Sequence, residues 1–341
     1  MKKWKVVVTD WEYADLRFEE NVLLRHDSIK LVSAQCKTEE DVIEACRDAD
    51  ALINQYAPIG RKVIEALEKC KVITRYGVGV NTIDLDAATE KGICVANVPD
   101  YCMDEVADHA LALLLSWTRK ITLANYHVKN GKWDFKVTQP IYRLRGRTIG
   151  LVGFGKIPQM LAEKVKPLGL KVLAYDPYFP KHLAEEKGVA LVELDELCAQ
   201  SDFISVHAPL MEATRGMIGE QQFARMKKDA IIINTSRGPV IHEKALVDAL
   251  TKGQIAGAAL DVVEEEPIPK DHPLLSMDNV ILTPHAAWYS EEAAAEMRSK
   301  AAMGVVDVLI AGEYPKYLVN QKVKERVELK PSRPEQRYQS L

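Results

Sequence analysis

The 341-residue sequence predicts an α/β protein made of two doubly wound parallel-sheet domains, the second inserted into the first. Three observations lead there. The chain is too long for one ordinary hydrophobic core and short for three. Short β-rich runs alternate with helical patterns from the N-terminus to about residue 98, the βαβ rhythm of a parallel sheet. The same rhythm restarts at Thr148 and runs to about residue 284, after which a last helical pattern suggests that the chain returns to its first domain.

The elements follow in order. In MKKWKVVVTD the apolar run Val6–Val8 is too short for a signal-peptide core and reads as a first strand, within Lys5–Thr9. Further strands are expected at 30–34, 51–54, 71–75 and 94–97, separated by helical patterns such as TEEDVIEACRDAD and RKVIEALEKC. A long helical region is expected over 104–129. Its stretch 106–117 is apolar nearly all round except Asp108 and His109, which calls for burial at a domain or subunit contact. It falls short of the roughly 20 residues that span a bilayer, so no membrane segment is expected. The second series comprises six strands, at 148–152, 171–175, 203–207, 230–234, 255–260 and 280–282, followed by a helix at 291–311. The expected boundaries are 1–100 plus 287–320 for the outer domain and 101–286 for the inserted one. The remainder, 321–341, is charged, with two prolines, and reads as an arm-like tail.

Composition narrows the function classes. A formal net charge of -4 carries no footprint of nucleic-acid binding. The six cysteines have no C-x-x-C spacing, which argues against a zinc site or a disulfide framework and fits a reducing cytoplasm. No metal is expected.

The stretch IGLVGFGKIPQMLA places Gly153 and Gly155 after an apolar strand and before an amphipathic helix, and Asp176 closes the next strand about 20 residues on, as a dinucleotide-binding fingerprint requires. The third glycine of G-x-G-x-x-G is replaced by Pro158. The first two glycines serve the tight turn and the approach to the pyrophosphate, whereas the third serves helix–strand packing. A proline in the first helical turn removes an amide that has no intrahelical partner. Lys156 and Ile157 keep their amides for an anion at the helix N-terminus. Binding is therefore expected to be retained. Asp176 can accept the ribose hydroxyls of NAD and would repel the extra phosphate of NADP, so NAD is the expected cofactor.

Three segments at later strand ends, NTSRGPVIHEKAL, AALDVVEEEP and ILTPHAAW, place an arginine, a glutamate before proline and a Pro-His pair in order behind the glycine turn. With that order, residues 5–320 resemble the D-isomer-specific 2-hydroxyacid dehydrogenases. TRYGVGVNTID, AYDPY and PHAAWYSEEA are most similar to the C-terminal-binding protein (CtBP-like) branch. The resemblance implies a flavodoxin-like substrate domain around an inserted Rossmann NAD-binding domain, and a catalytic set of Arg237, Glu266 and His285. The chemistry suits these residue types: imidazole exchanges a proton near neutral pH, a carboxylate beside it favours its protonated form, and a guanidinium binds a substrate carboxylate. By the same resemblance Asp261 would hold the nicotinamide carboxamide, and His207, Pro209, Thr214 and Thr235 would line the cofactor site.

In the outer domain, RYGVGVN resembles the family's substrate-carboxylate loop, with the amides of Val78 and Gly79 facing the anion and Arg75 facing the substrate. The usual Asp-Asn after this loop is here Asn81-Thr82, which raises the question of what anchors it. Trp288 matches the branch's tryptophan and could wall the pocket. His109 and the other histidines read as surface or packing residues.

The reading that follows is an NAD-dependent oxidoreductase interconverting a small 2-keto acid and its D-2-hydroxy acid. The alternatives are an NAD(H)-gated CtBP-like interaction protein with little turnover, and a short phosphoglycerate dehydrogenase. Domain closure would need hinges near 98–103 and 284–290. A homodimer through the cofactor domain, by the apolar helix at 106–117 and its following arm, is what the resemblance implies.

Overall fold

The computed structural model describes residues 3–332. The described residues divide into two compact units, 3–102 with 290–332 and 103–289.

The first unit holds a parallel five-stranded sheet, order β2-β1-β3-β4-β5, from β1 (Trp4–Val8), β2 (Ile29–Ser33), β3 (Ala51–Asn54), β4 (Val72–Arg75) and β5 (Cys94–Ala96). β3 and β5 are buried along their whole lengths. That is why they read as continuous apolar runs and not as alternating ones. The helix Glu291–Val306 belongs to this unit and packs on β3, β4 and the helix Arg17–Leu23. An ion pair fastens it: Arg298 Nε and Nη2 donate to the two carboxylate oxygens of Glu19 at 2.8 and 2.7 Å, and both residues are buried.

The expected arm starts differently. Gln321–Glu325 forms a 3-10 turn with Val323 fully buried, and Lys330 N donates to Gly312 O at 2.9 Å, so the segment is fastened to the unit through residue 330. Val323 and Val327, one helical turn apart among charged residues, carry an anchoring pattern that averaged composition conceals. Residues 333–341 of the expected tail lie outside the described residues.

The second unit holds a parallel sheet of order β12-β11-β10-β9-β6-β7-β8. Its strands are β6 (Thr148–Val152), β7 (Lys171–Tyr175), β8 (Ala190–Leu191), β9 (Phe203–Val206), β10 (Ile231–Asn234), β11 (Gly257–Leu260) and β12 (Val280–Leu282). Seven strands stand where six were expected, because β8 has only two residues and so shows no periodicity. The long helical region is two helices, Met103–Thr118 and Ile121–Lys129, broken where Lys120 takes a left-handed φ of 54°. The apolar helix buries Ala107, Ala110, Leu113 and Leu114 in this unit's own core. β6 lies between β7 and β9, so the winding reverses there and the carboxyl ends of β6 and β9 open a crevice.

Candidate active site

The glycine turn stands at that crevice. Gly153 has φ 90°, which favours glycine, and a Cβ there would come within 3.1 Å of the backbone of His207 and Ala208 after β9. Gly155 precedes the helix Lys156–Val165, and a Cβ on it would meet nothing within 4 Å. Space for an anion therefore lies above the turn, where the amides of Lys156 and Ile157 have no intrahelical acceptors. Pro158 is the third helical residue and is buried. Asp176 directly follows β7, with Oδ2 accepting from Phe154 N and Oδ1 from Tyr178 N, both at 2.9 Å, so the carboxylate also holds the turn together.

The other expected cofactor residues divide. Thr235 is buried, and its Oγ1 has no hydrogen-bond partner, a state that costs free energy unless a bound group completes it. Thr214 Oγ1 donates to Pro209 O at 2.6 Å and accepts from Met211 N at 2.8 Å, fixing the loop after β9. His207 Nε2 lies 2.8 Å from Ser205 Oγ, and burial pushes its imidazole down to about 3, so it stays neutral at physiological pH. The open space over Gly155, the free helix amides and the orphaned Thr235 hydroxyl fit a dinucleotide.

Glu266 and His285 meet. Glu266 Oε2 lies 2.6 Å from His285 Nδ1, and Oε1 accepts from Val263 N at 3.2 Å. Partial burial pushes the Glu266 carboxyl up. The hydrogen bond and charge of His285, the Val263 amide and the Arg237 guanidinium outweigh it and hold the group below the usual glutamate range. An ionised Glu266 only accepts, so His285 Nδ1 carries the hydrogen and Nε2 is the nitrogen left to face a reactant. The imidazole side chain is 43% exposed, open to one. Arg237 reaches the same place because Gly238 packs on the backbone leading to Glu266: a Cβ on Gly238 would overlap Val263 O at 1.9 Å. Arg237 Nη1 donates to Ser236 O at 2.6 Å.

His285 itself has a left-handed φ of 53°. Its N–H donates to Asp261 O at 2.8 Å, while the Asp261 carboxylate accepts from Ala286 N and Ala287 N, each at 2.9 Å, and from Thr283 Oγ1 at 2.6 Å. Asp261, expected as a carboxamide ligand, is seen as the brace of the turn that presents His285. Sequence reading passed over Thr283 and took His109, whose ring lies beside this brace, for a surface or packing residue; the available signal was a polar residue inside an otherwise apolar helix. Trp288 is half-buried and packs edge-on against Tyr289 at 5.4 Å.

In the first unit, Arg75 ends β4 and donates from Nε to Gln55 O at 3.3 Å. Gly77 O accepts from Val98 N at 2.9 Å, and Val78 O from Asn97 Nδ2 at 2.7 Å, while the Val78 side chain is exposed. Gly79 is half-buried. Thr82, in the place of the usual asparagine, anchors the loop: its Oγ1 donates to Asn54 Oδ1 at 3.1 Å, and its carbonyl accepts from Ile59 N at 2.7 Å.

A glycine turn at a switch point, followed in the same unit by a carboxylate–imidazole pair and an arginine, is the equipment of a dinucleotide-dependent oxidoreductase. The chain belongs to the D-isomer specific 2-hydroxyacid dehydrogenase family: residues 111–287 match the model for that family's NAD binding domain. It is 45% identical over 306 residues to a D-3-phosphoglycerate dehydrogenase of Methanocaldococcus jannaschii, an alignment covering 87% of this chain and 58% of that protein. It is 44% identical over 290 residues to a glyoxylate reductase of Korarchaeum cryptofilum, covering 83% of this chain and 86% of the relative. Among solved structures, the TT0316 protein from Thermus thermophilus superposes with a TM-score of 0.84 at 30% identity, covering 92% of this chain and 99% of that one. The cofactor of this family's matched domain, NAD, agrees with the open turn and Asp176.

Proposed function

We propose that the protein is an NAD-dependent D-2-hydroxyacid dehydrogenase that interconverts a small 2-keto acid and its 2-hydroxy acid. The observation that carries this reading is the 2.6 Å contact of Glu266 with His285 Nδ1, which leaves Nε2 to serve as the acid or base. The bound cofactor supplies or accepts the hydride. His285 Nε2 gives a proton to the oxygen at C2 in reduction and takes it in oxidation. Glu266 stabilises the cationic imidazole, and Arg237 binds the substrate carboxylate. Lys156, Ile157, Gly153 and Gly155 form the pyrophosphate cradle, Asp176 takes the ribose hydroxyls, and Thr235 offers its orphaned hydroxyl. His207, Pro209 and Thr214 shape the crevice wall. Arg75 and the amides of Val78 and Gly79 are assigned to the substrate, and Trp288 to the pocket wall.

The experiment is NADH oxidation with glyoxylate, pyruvate, hydroxypyruvate and its 3-phosphate, with His285→Gln as control. Turnover of at least one acid, lost in the variant, supports the reading. Unchanged turnover in the variant removes the mechanism. Tight NADH binding with no turnover across the panel would instead favour the CtBP-like interaction reading that PHAAWYSEEA suggested, and preference for the phosphorylated acid would favour a short phosphoglycerate dehydrogenase.

We also infer a homodimer through residues 121–142, where Tyr126, Trp133, Phe135 and Tyr142 are 63%, 89%, 73% and 55% exposed, more apolar surface than a monomer ordinarily leaves in water. The apolar helix before it is spent on its own core, so the arm is the contact. A cytoplasmic location is supported by six buried cysteines that show no C-x-x-C spacing. The net charge of -4 supports a protein that binds no nucleic acid.

A further inference from the structure

We infer that His109 is a positioning residue for His285, acting through Thr283 and Asp261; this rests on the proposed role of His285. His109 Nε2 lies 3.0 Å from Thr283 Oγ1 and 3.5 Å from Asp261 Oδ1. Thr283 has one hydroxyl hydrogen, and its 2.6 Å contact with Asp261 Oδ1 uses it, so the hydroxyl must accept from His109 and Nε2 must carry the hydrogen. The chain then runs in one direction, from imidazole N–H to hydroxyl to carboxylate, and the carboxylate receives the amides of Ala286 and Ala287 from the far side.

What this chain holds in place is a backbone that would otherwise relax. His285 sits at φ 53°, a conformation that a side chain with a Cβ adopts only when its surroundings impose it. The Asp261 carboxylate is almost fully buried and sets that turn, and its own rotation is fixed by which oxygen faces Thr283. Without the hydrogen from His109, the Thr283 hydroxyl can rotate away from Asp261. The Ala286–Ala287 turn then loses its fixed acceptor, and His285 Nε2 shifts from its aim.

The test measures steady-state kinetics and NADH fluorescence titration in the full-length protein for His109→Leu, His109→Gln, Thr283→Val and Thr283→Ser. His109→Leu and Thr283→Val are expected to lower kcat roughly ten- to a hundredfold, the scale of a small misplacement of a reacting group, with the Kd for NADH within about twofold. His109→Gln keeps an N–H donor and Thr283→Ser keeps the hydroxyl, so both are expected to restore most of kcat. Unchanged kcat in His109→Leu, no rescue by the conservative variants, or NADH affinity falling in step with kcat would overturn the inference. Should His109→Leu fail to fold, the Thr283 pair reads the same chain. His285→Gln separates the two levels: full turnover there sinks the functional reading itself, whereas lost turnover there beside normal His109→Leu sinks only this one.

Discussion

Replacing Arg298 by methionine tests how the first unit is closed. Its guanidinium and the Glu19 carboxylate belong to residues that are 4% and 0% exposed, 279 residues apart in sequence, and joined by two hydrogen bonds. Tyr76 donates a further bond to Glu19 Oε1 at 2.7 Å, and the guanidinium lies 4.4 Å over the Tyr13 ring and 4.9 Å over that of Phe18. Arg298→Met would leave a buried carboxylate with Tyr76 as its one remaining strong donor. Breaking a buried pair by removing one partner costs about 3–5 kcal/mol. Glu19→Met should cost less, because the cation keeps the Asp15 carbonyl as an acceptor and the Asp15 carboxylate 3.9 Å away. Replacing both by methionine removes both charges together and leaves chiefly the Tyr76 hydroxyl unsatisfied, for which ~1–3 kcal/mol is the scale. The double variant should therefore be more stable than either single one, with a coupling energy of several kcal/mol between the sites. Urea denaturation followed by far-UV circular dichroism on the four proteins closes the cycle. Single variants within about 1 kcal/mol of the parent, or a double variant as destabilised as the sum of the singles, would refute the reasoning.

Other outcomes follow from the same reading. His207 binds no proton in the folded state until about pH 3, whereas its unfolded counterpart does so below about 6.5, so its contribution is complete above 6.5 and lost as pH falls toward 3. By pH 5 that is about 2 kcal/mol, and urea midpoints for His207→Asn should lack this part of the acid slope. Gly155→Val should keep its thermal midpoint, since nothing stands near its Cβ, yet lose at least about tenfold in NADH affinity; Gly153→Val should lower the midpoint as well, because both its φ and its neighbours resist a side chain. Glu266→Gln should lower kcat by about 10²–10⁴ while the Kd for NADH holds. Because Glu266 is held below the usual glutamate range, its protonation should not add a limb to the pH–rate profile above about pH 5.

Much of the architecture could be read from local pattern. Strands buried on both faces demand unbroken apolar runs, and β3, β6, β9 and β10 were visible for that reason. The glycine turn was legible because its constraint is local: the backbone at Gly153 and the spacing to Asp176 are properties of consecutive residues. β8 was missed because two residues carry no period, and the fastening of residues 321–330 because two valines do the work among charges.

The sequence alone determined which segments must be buried, where the chain must turn tightly and which residue types are chemically able to bind a dinucleotide and move a proton. The tertiary structure decided which of them meet. That His285 takes a left-handed backbone, that Asp261 braces it, and that His109 of a helix more than 150 residues upstream stands beside that brace are consequences of three chain segments arriving at one place. No local periodicity records such an arrival, because a hydrogen bond depends on distance and direction in space, and the chain in between sets neither until it has folded.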